Sequence, residues 1–298
     1  MSDVLLFGAT SPSGLAFLQG SESLSVTVAG RRRPDGFADG PFQLCDLRAV
    51  DSLEQSLGGT LVSFAPLWHL APFLARLAEH SPARLAGIKA VVACSSSSVI
   101  TKRFAFNRFD RNLVQRLTAS QDILIRTCKD LGIPCRIVAP TLIYGKVGTI
   151  GDRNLSQLLQ WMRRFPLLPI PADSGLRQPI HASQLAAVVR SLVIALVRPT
   201  DGLPTTDVIA VGGDDTLTYL ELLLRLQQQC EESDPARRCR LVSVPGWLFR
   251  GLAAPLLLAA PKGFEAVMRM QVDLAGFLPA HSLVGEDPRS FPVLPLER

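Results

Sequence analysis

A turn rich in glycine and hydroxyl residues near the start of the chain has the composition of a phosphate-binding turn. It follows the apolar run Val4-Leu-Leu-Phe, and Ser11 stands in it where glycine is usual. Gly8 allows a sharp turn, and Gly14 allows a helix to pack close to the strand. Backbone amides at the start of that helix can bind a pyrophosphate. We therefore predict a dinucleotide-binding turn formed by Gly8, Thr10, Ser11, Pro12, Ser13 and Gly14.

Basic residues follow the second apolar run, about twenty residues further on. Gly30 and the run Arg31-Arg32-Arg33 stand where an acidic residue would bind the ribose hydroxyls of NAD. Because a guanidinium group binds phosphate in bidentate fashion, Arg31 and Arg32 favour the 2′-phosphate of NADP over NAD. The alternative interpretation is a solvated cluster of loop charges.

The elements that would position these residues follow a regular alternation. Short apolar runs alternate with amphipathic stretches, as in a parallel sheet with crossover helices. Thr218 and Glu221 have the spacing of a capping box, and Gly132 has a C-cap position. The predicted strands are 4–7, 25–29, 43–44, 60–64, 90–94, 135–139 and 207–211, and the predicted helices are 13–19, 50–56, 69–79, 108–131, 155–164, 182–197 and 219–231.

The alternation predicts the fold class α/β, with a Rossmann-type doubly wound parallel sheet and a smaller C-terminal lobe on the substrate side. The dinucleotide-binding domain is predicted to comprise 1–145, with 173–216 contributing. Residues 146–172 and 217–298 are assigned to the substrate-side lobe, because strict alternation is lost after Tyr144. The length of 298 residues and the 47% hydrophobic content predict a compact, enzyme-sized protein.

Composition and spacing argue against several classes of protein. The basic residues behind the net charge of +5 are dispersed, so nucleic acid is not an expected partner. Six cysteines without C-x-x-C spacing and four scattered histidines predict no metal site. The start of the chain lacks a signal-peptide pattern, which favours a cytoplasmic location.

One late stretch, 244–260, is strongly apolar but is cut by Arg250 and Pro255. It is too short to cross a bilayer, so no membrane span is expected. We interpret it as a helix that covers a pocket. The alternative is a helix that lies on a membrane surface, which would require an exposed apolar face.

Six motifs in order give the chain a resemblance to the extended or atypical short-chain dehydrogenase/reductase superfamily, in the NAD-dependent epimerase/dehydratase family. The resemblance covers nearly the whole chain. The motifs are the turn at 8–14, Cys45-Asp-Leu47, Cys94-Ser-Ser-Ser-Ser-Val99, Ala139-Pro-Thr-Leu-Ile-Tyr-Gly145, Arg177-Gln-Pro-Ile-His181-Ala-Ser-Gln-Leu-Ala186 and Gly285-Glu-Asp-Pro-Arg-Ser-Phe291.

The resemblance implies further binding residues. Asp46 and Leu47 are expected near the adenine, and the other expected cofactor contacts are Phe64, Ala65, Pro66, Pro140 and Thr141. Arg177 resembles the arginine that contacts a nucleotide-sugar diphosphate, although a surface salt bridge is the alternative. The expected substrate contacts also include Ser97, Arg153 and Asn154, of which the last two have an ordinary helix cap as their alternative.

The chain departs from the family in its proton-transfer residues. A tyrosine and a lysine four residues later, on the long helix, perform this step in the family. Leu117 and Gln121 occupy those places here, and neither can exchange a proton at neutral pH. Ser96 is the expected partner serine, with Ser95 and Ser97 as the alternatives in adjacent registers, and Tyr144 is the remaining phenol near the cofactor end of the sheet. Ser96 and Tyr144 are the candidate catalytic residues.

Two functions remain open at this point. The first is an NADP-preferring oxidoreductase or epimerase that acts on a small-molecule substrate, such as a nucleotide sugar or a similar polar carbonyl or hydroxyl compound. Its proton would come from water, Tyr144 or the substrate. The second is a non-catalytic NADP(H) sensor or assembly protein, which the loss of tyrosine and lysine favours. The resemblance also implies a homodimer that pairs through the long helix.

Overall fold

A parallel eight-stranded sheet forms the centre of the structure. The structure is a computed structural model, and it describes every residue except 1–2, 35–36, 38, 50–52, 54, 106, 153, 198–203, 205, 256–260 and 294–298. The strands of the large sheet are β1 (Asp3–Phe7), β2 (Ser25–Gly30), β3 (Phe42–Leu44), β4 (Gly58–Ser63), β5 (Gly87–Cys94), β6 (Cys135–Pro140), β11 (Val208–Gly212) and β14 (Leu278–Pro279). The short strands outside it are β7 (Ile143–Tyr144), β8 (Leu167–Pro171), β9 (Leu176–Arg177), β10 (Ile180–His181), β12 (Leu217–Thr218) and β13 (Arg240–Val244).

The order of strands in the large sheet is β14-β11-β6-β5-β4-β1-β2-β3, and each pairing is parallel. The chain runs outward from β1 in one direction through β2 and β3, and then returns to β4 on the other side. The order therefore reverses between β1 and β4. In open α/β sheets, ligands bind in the crevice at the carboxyl ends of the strands at such a point.

Helices cover both faces of the sheet. Leu70 and Leu124 pack against strand residues such as Leu61 on one face, and Phe17 and Leu185 pack on the other. These residues belong to α2 and α4 on the first face and to α1 and α6 on the second. The helices are α1 (Pro12–Gln19), α2 (Leu67–His80), α3 (Ser98–Thr101), α4 (Arg108–Asp130), α5 (Asn154–Arg164), α6 (Ala182–Val197), α7 (Tyr219–Gln228), α8 (Pro235–Arg238), α9 (Gly246–Ala253), α10 (Pro261–Met268) and α11 (Ala280–Val284).

A third apolar cluster forms a smaller lobe. Leu155, Leu159, Ile170, Leu222 and Leu226 are among its buried members, and they come from α5, β8 and α7. Strand β13 pairs in parallel with β8 over five residues. Residues 278–284, which the predicted division assigns to the smaller lobe, instead add β14 and α11 to the large sheet and its second face.

A buried group of charged side chains joins the large sheet and its helices to the smaller lobe. Asp110, at the start of α4, accepts hydrogen bonds from Lys102 at 2.7 Å, from Asn107 at 2.7 Å and from Arg269. The Asn107 Nδ2 also donates to Glu265 on α10 over 2.6 Å. Burial raises the pKa of Asp110, but the bonds from Lys102, Asn107 and Arg269 outweigh it and hold that pKa below its usual range.

The predicted elements agree closely with the observed ones. Thr218 and Glu221 form the capping box, and Gly132, with a φ of +67°, follows the end of α4. The predicted helix at 50–56 falls largely outside the described residues. Within the described part of the chain, no helix is both long and apolar enough to cross a membrane.

Candidate functional site

The glycine turn lies between β1 and α1, at the point where the strand order reverses. Gly8 has a φ of +79°, and a Cβ on it would lie 2.5 Å from the amide nitrogen of Ala65. A Cβ on Gly14 would lie 2.2 Å from the carbonyl oxygen of Gly8. Only glycine fits at these two positions, because the backbones of two loops and a helix meet there. The turn therefore brings α1 as close to the end of β1 as a phosphate-binding turn requires.

The start of α1 limits how many amides could meet a phosphate. Ser11 is the N-cap, and its Oγ accepts from the Gly14 amide at 3.1 Å and donates to the Gly8 carbonyl at 2.8 Å. Pro12 has no amide hydrogen. Among the described residues, the Ser13 amide has no hydrogen-bond acceptor. The Ser13 amide is therefore the unbonded donor of this first turn, in a residue that is buried.

A cavity of about 310 Å³ opens beside the turn. It brings together nine of the residues expected to bind the cofactor, from the ends of β1, β2 and β4 and the segment after β3. They are Gly8, Thr10, Ser11, Arg31, Asp46, Leu47, Phe64, Ala65 and Pro66. Arg32 lines an adjoining cavity of about 480 Å³ together with Gly30 and Arg31. Neither cavity is lined by Pro12, Ser13, Gly14, Pro140 or Thr141.

The three consecutive arginines have different environments. Arg31 and Arg32 are exposed at the cavity walls. Arg33 donates to the Gly40 carbonyl over 2.6 Å, and its guanidinium lies 5.0 Å from the centre of the Phe42 ring. Arg33 thus stabilises its own loop, whereas Arg31 and Arg32 face the cavities, and Arg48 is a further cation in the lining of the first one.

Arg48, which belongs to none of the sequence motifs, lines the cavity and pairs with its acidic residue, Asp46. Its Nη2 and Nε donate to the two carboxylate oxygens of Asp46 over 2.9 and 3.1 Å. These bonds, together with one from the Arg48 amide, lower the pKa of Asp46 to about 2. His69, also on the cavity wall, has its pKa lowered by burial and by the charges of Arg48 and Arg116. An arginine two residues after the acid was the available signal in the sequence.

The serines that follow β5 form hydrogen bonds with neighbouring residues of the protein. Ser96 Oγ donates to Ser98 Oγ over 3.0 Å and accepts from the Ser98 amide over 3.1 Å. Ser97 is buried, and its amide donates to the Pro140 carbonyl. Gln121 on α4 donates to Ser95 Oγ over 2.8 Å, while Leu117 is buried one turn earlier. The places expected for tyrosine and lysine thus lie on the buried side of α4, near this strand end.

Tyr144 lies in the core of the smaller lobe, where it is 1% exposed. Its ring contacts His181 and Phe291 at centroid distances of 5.1 and 4.9 Å, and its hydroxyl accepts from the Val293 amide over 2.9 Å. Burial raises the pKa of Tyr144 above its usual range. This corrects the expectation of a catalytic phenol, because the hydroxyl is shielded from solvent and is occupied by the backbone.

Three side chains accept hydrogen bonds from backbone amides in the described segment 289–293. Besides Tyr144, Asp214 Oδ2 accepts from the Arg289 amide over 2.9 Å, and Asp215 Oδ2 accepts from the Phe291 amide over 2.8 Å. Asp214 also accepts from Gln184 Nε2 over 2.7 Å. Gln184 thus helps to position the carboxylate that holds this segment.

The expected substrate residues do not converge on one site. Arg177 is 6% exposed, and it donates to the carbonyls of Leu176 at 2.7 Å, Val272 at 2.6 Å and Arg269. This corrects the expectation that it clamps a diphosphate, because the side chain is buried and two of its three hydrogen bonds hold the segment before β14. Asn154 is exposed at the start of α5, and Arg153 lies outside the described residues. Thr141, an expected cofactor contact, donates to the Gln178 carbonyl over 2.5 Å.

The strand order and the glycine turn at its reversal define a Rossmann-type α/β protein. Comparison of the sequence with protein-family models and with curated proteins found no match. No group of three metal-ligating side chains occurs among the residues that the structure describes.

Comparison with solved structures found similar folds. A nucleoside-diphosphate-sugar epimerase from Staphylococcus aureus is 15% identical, with a TM-score of 0.61 over 97% of this chain and 98% of that one. A UDP-glucuronic acid 4-epimerase from Bacillus cereus, solved with NAD, is 14% identical, with a TM-score of 0.58 over 99% and 96%. A GDP-mannoheptose C4 reductase from Campylobacter jejuni, solved with NADP, is 12% identical, with a TM-score of 0.55 over 82% and 87%. The predicted fold class is confirmed, and the resemblance inferred from the motifs is confirmed at the level of the fold.

Proposed function

We propose that this protein belongs to the NAD-dependent epimerase/dehydratase family and binds a nicotinamide dinucleotide at the carboxyl edge of its sheet. The observation that carries the proposal is the packing at Gly8 and Gly14, where a side chain on either residue would collide with backbone. Such packing is what a turn needs if its backbone is to approach a pyrophosphate. The cavity beside it has walls from four strand ends, and this extended crevice matches a ligand of two linked nucleotides.

We propose NADP as the preferred cofactor. Arg31 and Arg32 are exposed at the end of β2, where the ribose next to the adenine would lie, and Gly30 places no carboxylate there. Asp46 already accepts two hydrogen bonds from Arg48, so its charge is partly neutralised. Together these residues make the cavity favourable for a 2′-phosphate.

The proposed activity is that of an oxidoreductase or epimerase on a nucleotide sugar or a similar polar carbonyl or hydroxyl compound. Support comes from the fold, since the similar structures include epimerases and a reductase of nucleotide sugars. The division into a dinucleotide-binding domain and a substrate-side lobe belongs to the same proposal. So does a homodimer that pairs through α4.

The chain's own residues restrict the chemistry. A bound nicotinamide would accept or donate a hydride. Ser96, at the end of β5, would orient the substrate oxygen by exchanging its bond to Ser98 for one to the substrate. Helix α4 has no tyrosine, and its single lysine, Lys129, is at its far end. The accompanying proton would therefore come from water or from the substrate itself.

The second candidate is a non-catalytic NADP(H) sensor or assembly protein. One observation favours it: Gln121 is engaged with Ser95, so the place of the family's lysine carries a structural hydrogen bond. A sensor needs the cofactor cavity but does not need a proton relay. The described residues form such a cavity, and Leu117 and Gln121 stand at the places of the tyrosine and lysine.

Titration with NADPH and NADH by fluorescence tests the first part of the proposal. We expect NADPH to bind at least tenfold more tightly, since a single charge-assisted contact is worth about 1.5–3 kcal/mol. If neither NADPH nor NADH binds, both the proposed function and the sensor alternative are refuted.

The saturated complex then separates enzyme from sensor. Incubation with a panel of nucleotide sugars should produce a change in the absorbance of the reduced nicotinamide or an epimerised product. If a protein that binds NADPH tightly produces neither with any member of the panel, the sensor replaces the enzyme as the proposed function.

A further inference from the structure

The smaller lobe contains an apolar pocket that the proposed reaction does not use. It has a volume of about 220 Å³ and lies among α5, β8, α7, α9 and α10. Its walls include Trp161, Ile170, Leu223, Phe249, Leu252 and Val267, and none of the described residues that line it is charged. The helix at its edge, α9, comes from the apolar stretch 244–260, which was predicted to cover a pocket.

The pocket is unsuited to a sugar or a nucleobase. Sites for such ligands combine apolar walls with several placed hydrogen-bonding groups. Here the lining offers only the Tyr219 hydroxyl and the Trp161 indole nitrogen as side-chain hydrogen-bonding groups of ordinary strength. A ligand made of methylene groups loses no hydrogen bonds when it enters such a pocket.

The surroundings of the pocket are apolar and positively charged. On α9, Trp247 is 71% exposed and Leu252 is 57% exposed, so this short helix carries apolar side chains into solvent. The five elements that form the pocket, together with β13, contain six basic residues and two carboxylates, Glu221 on α7 and Glu265 on α10, so their net charge is positive. Four of the basic residues are arginines of α5, β13 and α9. Of these arginines, Arg164 and Arg250 are exposed and form no ion pair with a described residue.

We propose that this pocket binds the aliphatic chain of an anionic amphiphile. The methylene groups fill the cavity, and the head group remains at its mouth, near the arginines. Because a carboxylate or phosphate head is complementary to Arg164 and Arg250, charge as well as apolar surface selects the ligand. This inference is independent of the proposed function, since it requires neither cofactor nor catalysis.

Saturated fatty acids of increasing length, used below their micelle concentrations, are the first probes. Calorimetric titration of the full chain should give a dissociation constant that falls about fourfold for each added methylene until the pocket is full. The alcohol of the same length should bind more weakly than the fatty acid, and its affinity should depend less on the salt concentration. Affinity that does not depend on chain length would overturn the proposal.

Substitutions at the pocket test whether the aliphatic chain of the ligand binds there. Ala253→Leu adds a side chain at the pocket wall and should weaken binding at least about tenfold. Ala254→Leu makes the same change at the exposed neighbouring residue and should leave binding unaltered. Leu252→Gln, at an exposed part of the rim, provides a second test that avoids overpacking. Equal effects of Ala253→Leu and Ala254→Leu would overturn the assignment.

Experiments with vesicles show whether the aliphatic chain that binds in the pocket belongs to a bilayer lipid or to a free amphiphile. Flotation with phosphatidylglycerol vesicles that is lost in Ala253→Leu would support a bilayer source. Fatty-acid binding without flotation would support a free amphiphile. Flotation that Ala253→Leu leaves intact, without fatty-acid binding, would overturn the pocket as the binding site.

Discussion

Gln121 donates a hydrogen bond to Ser95 over 2.8 Å, and this bond joins the middle of α4 to the carboxyl end of β5. The Gln121 side chain is 7% exposed, so water does not compete freely for its amide. A neutral amide donates and accepts hydrogen bonds but does not exchange a proton at neutral pH. The helix that carries the proton relay in the resembled family is thus used here for attachment to the sheet.

We expect Gln121→Ala to lower the free energy of unfolding by about 1–2 kcal/mol, because it leaves a partly buried hydroxyl without its partner. Urea unfolding of the purified protein measures this loss. Gln115→Ala, at an exposed position of the same helix, is the control and should change stability by less than about 0.5 kcal/mol. Equal losses in the two variants would mean that the bond contributes nothing.

Replacing both Arg31 and Arg32 by alanine should weaken NADPH binding about 10- to 100-fold and leave NADH binding within about threefold. The reason is that only NADPH carries the phosphate that these cations would meet. Arg33→Ala is the matched control, since Arg33 is bonded to the Gly40 carbonyl. If NADH and NADPH lose affinity equally in the double variant, the arginines do not select the cofactor.

Arg177→Ala should destabilise the fold and have little direct effect on ligands. Burial lowers the pKa of Arg177, and the side chain donates to three carbonyls that would be left without these donors. We expect a loss of about 3 kcal/mol in the free energy of unfolding. Arg238→Ala, at an exposed site, serves as control. A variant with wild-type stability and weakened nucleotide-sugar binding would restore the diphosphate role.

The stability of the protein should fall as the pH drops from about 6.5 to about 4. Burial lowers the pKa of His181 from 6.5 to about 4, so in this range the unfolded chain binds a proton that the folded chain does not. The contribution of neutral His181 to the free energy of unfolding is complete above pH 6.5. On acidification below that pH it decreases by up to about 1.4 kcal/mol per pH unit.

Urea unfolding at a series of pH values measures this dependence. His181→Gln should flatten the curve between the two pKa values, whereas His80→Gln, which alters a largely exposed side chain, should retain the slope. An unchanged slope in His181→Gln would show that other groups cause the acid sensitivity.

Most of the large sheet could be predicted from the sequence because its strands are buried on both faces. Such strands appear as continuous apolar runs bounded by turn residues, and the glycine turn fixes the position of β1. Strand β14 could not be found in this way, because Leu278 and Pro279 form only two residues of strand. Their pairing depends on β11, which is distant in sequence.

The candidate site was predictable where local sequence determines it. Gly8 and Arg31 directly follow the ends of β1 and β2, and Gly14 lies in the first turn of α1, so a short stretch of sequence determines the position of each. Arg177 and Tyr144 were misjudged because their environments depend on segments about 95 and 149 residues away. Motif spacing carries no information about such contacts, and burial decides whether a polar group meets a ligand or the backbone.

The anchoring of residues 289, 291 and 293 has a consequence for mutational tolerance. Each of these residues contributes its backbone amide, and the acceptors are the side chains of Asp214, Asp215 and Tyr144. An amide is common to every residue except proline. At positions 289 and 293 the side chain can therefore vary as long as proline is avoided, while the constraint on residue identity falls on the distant acceptors. Phe291 is constrained as well, because its buried ring packs against Tyr144.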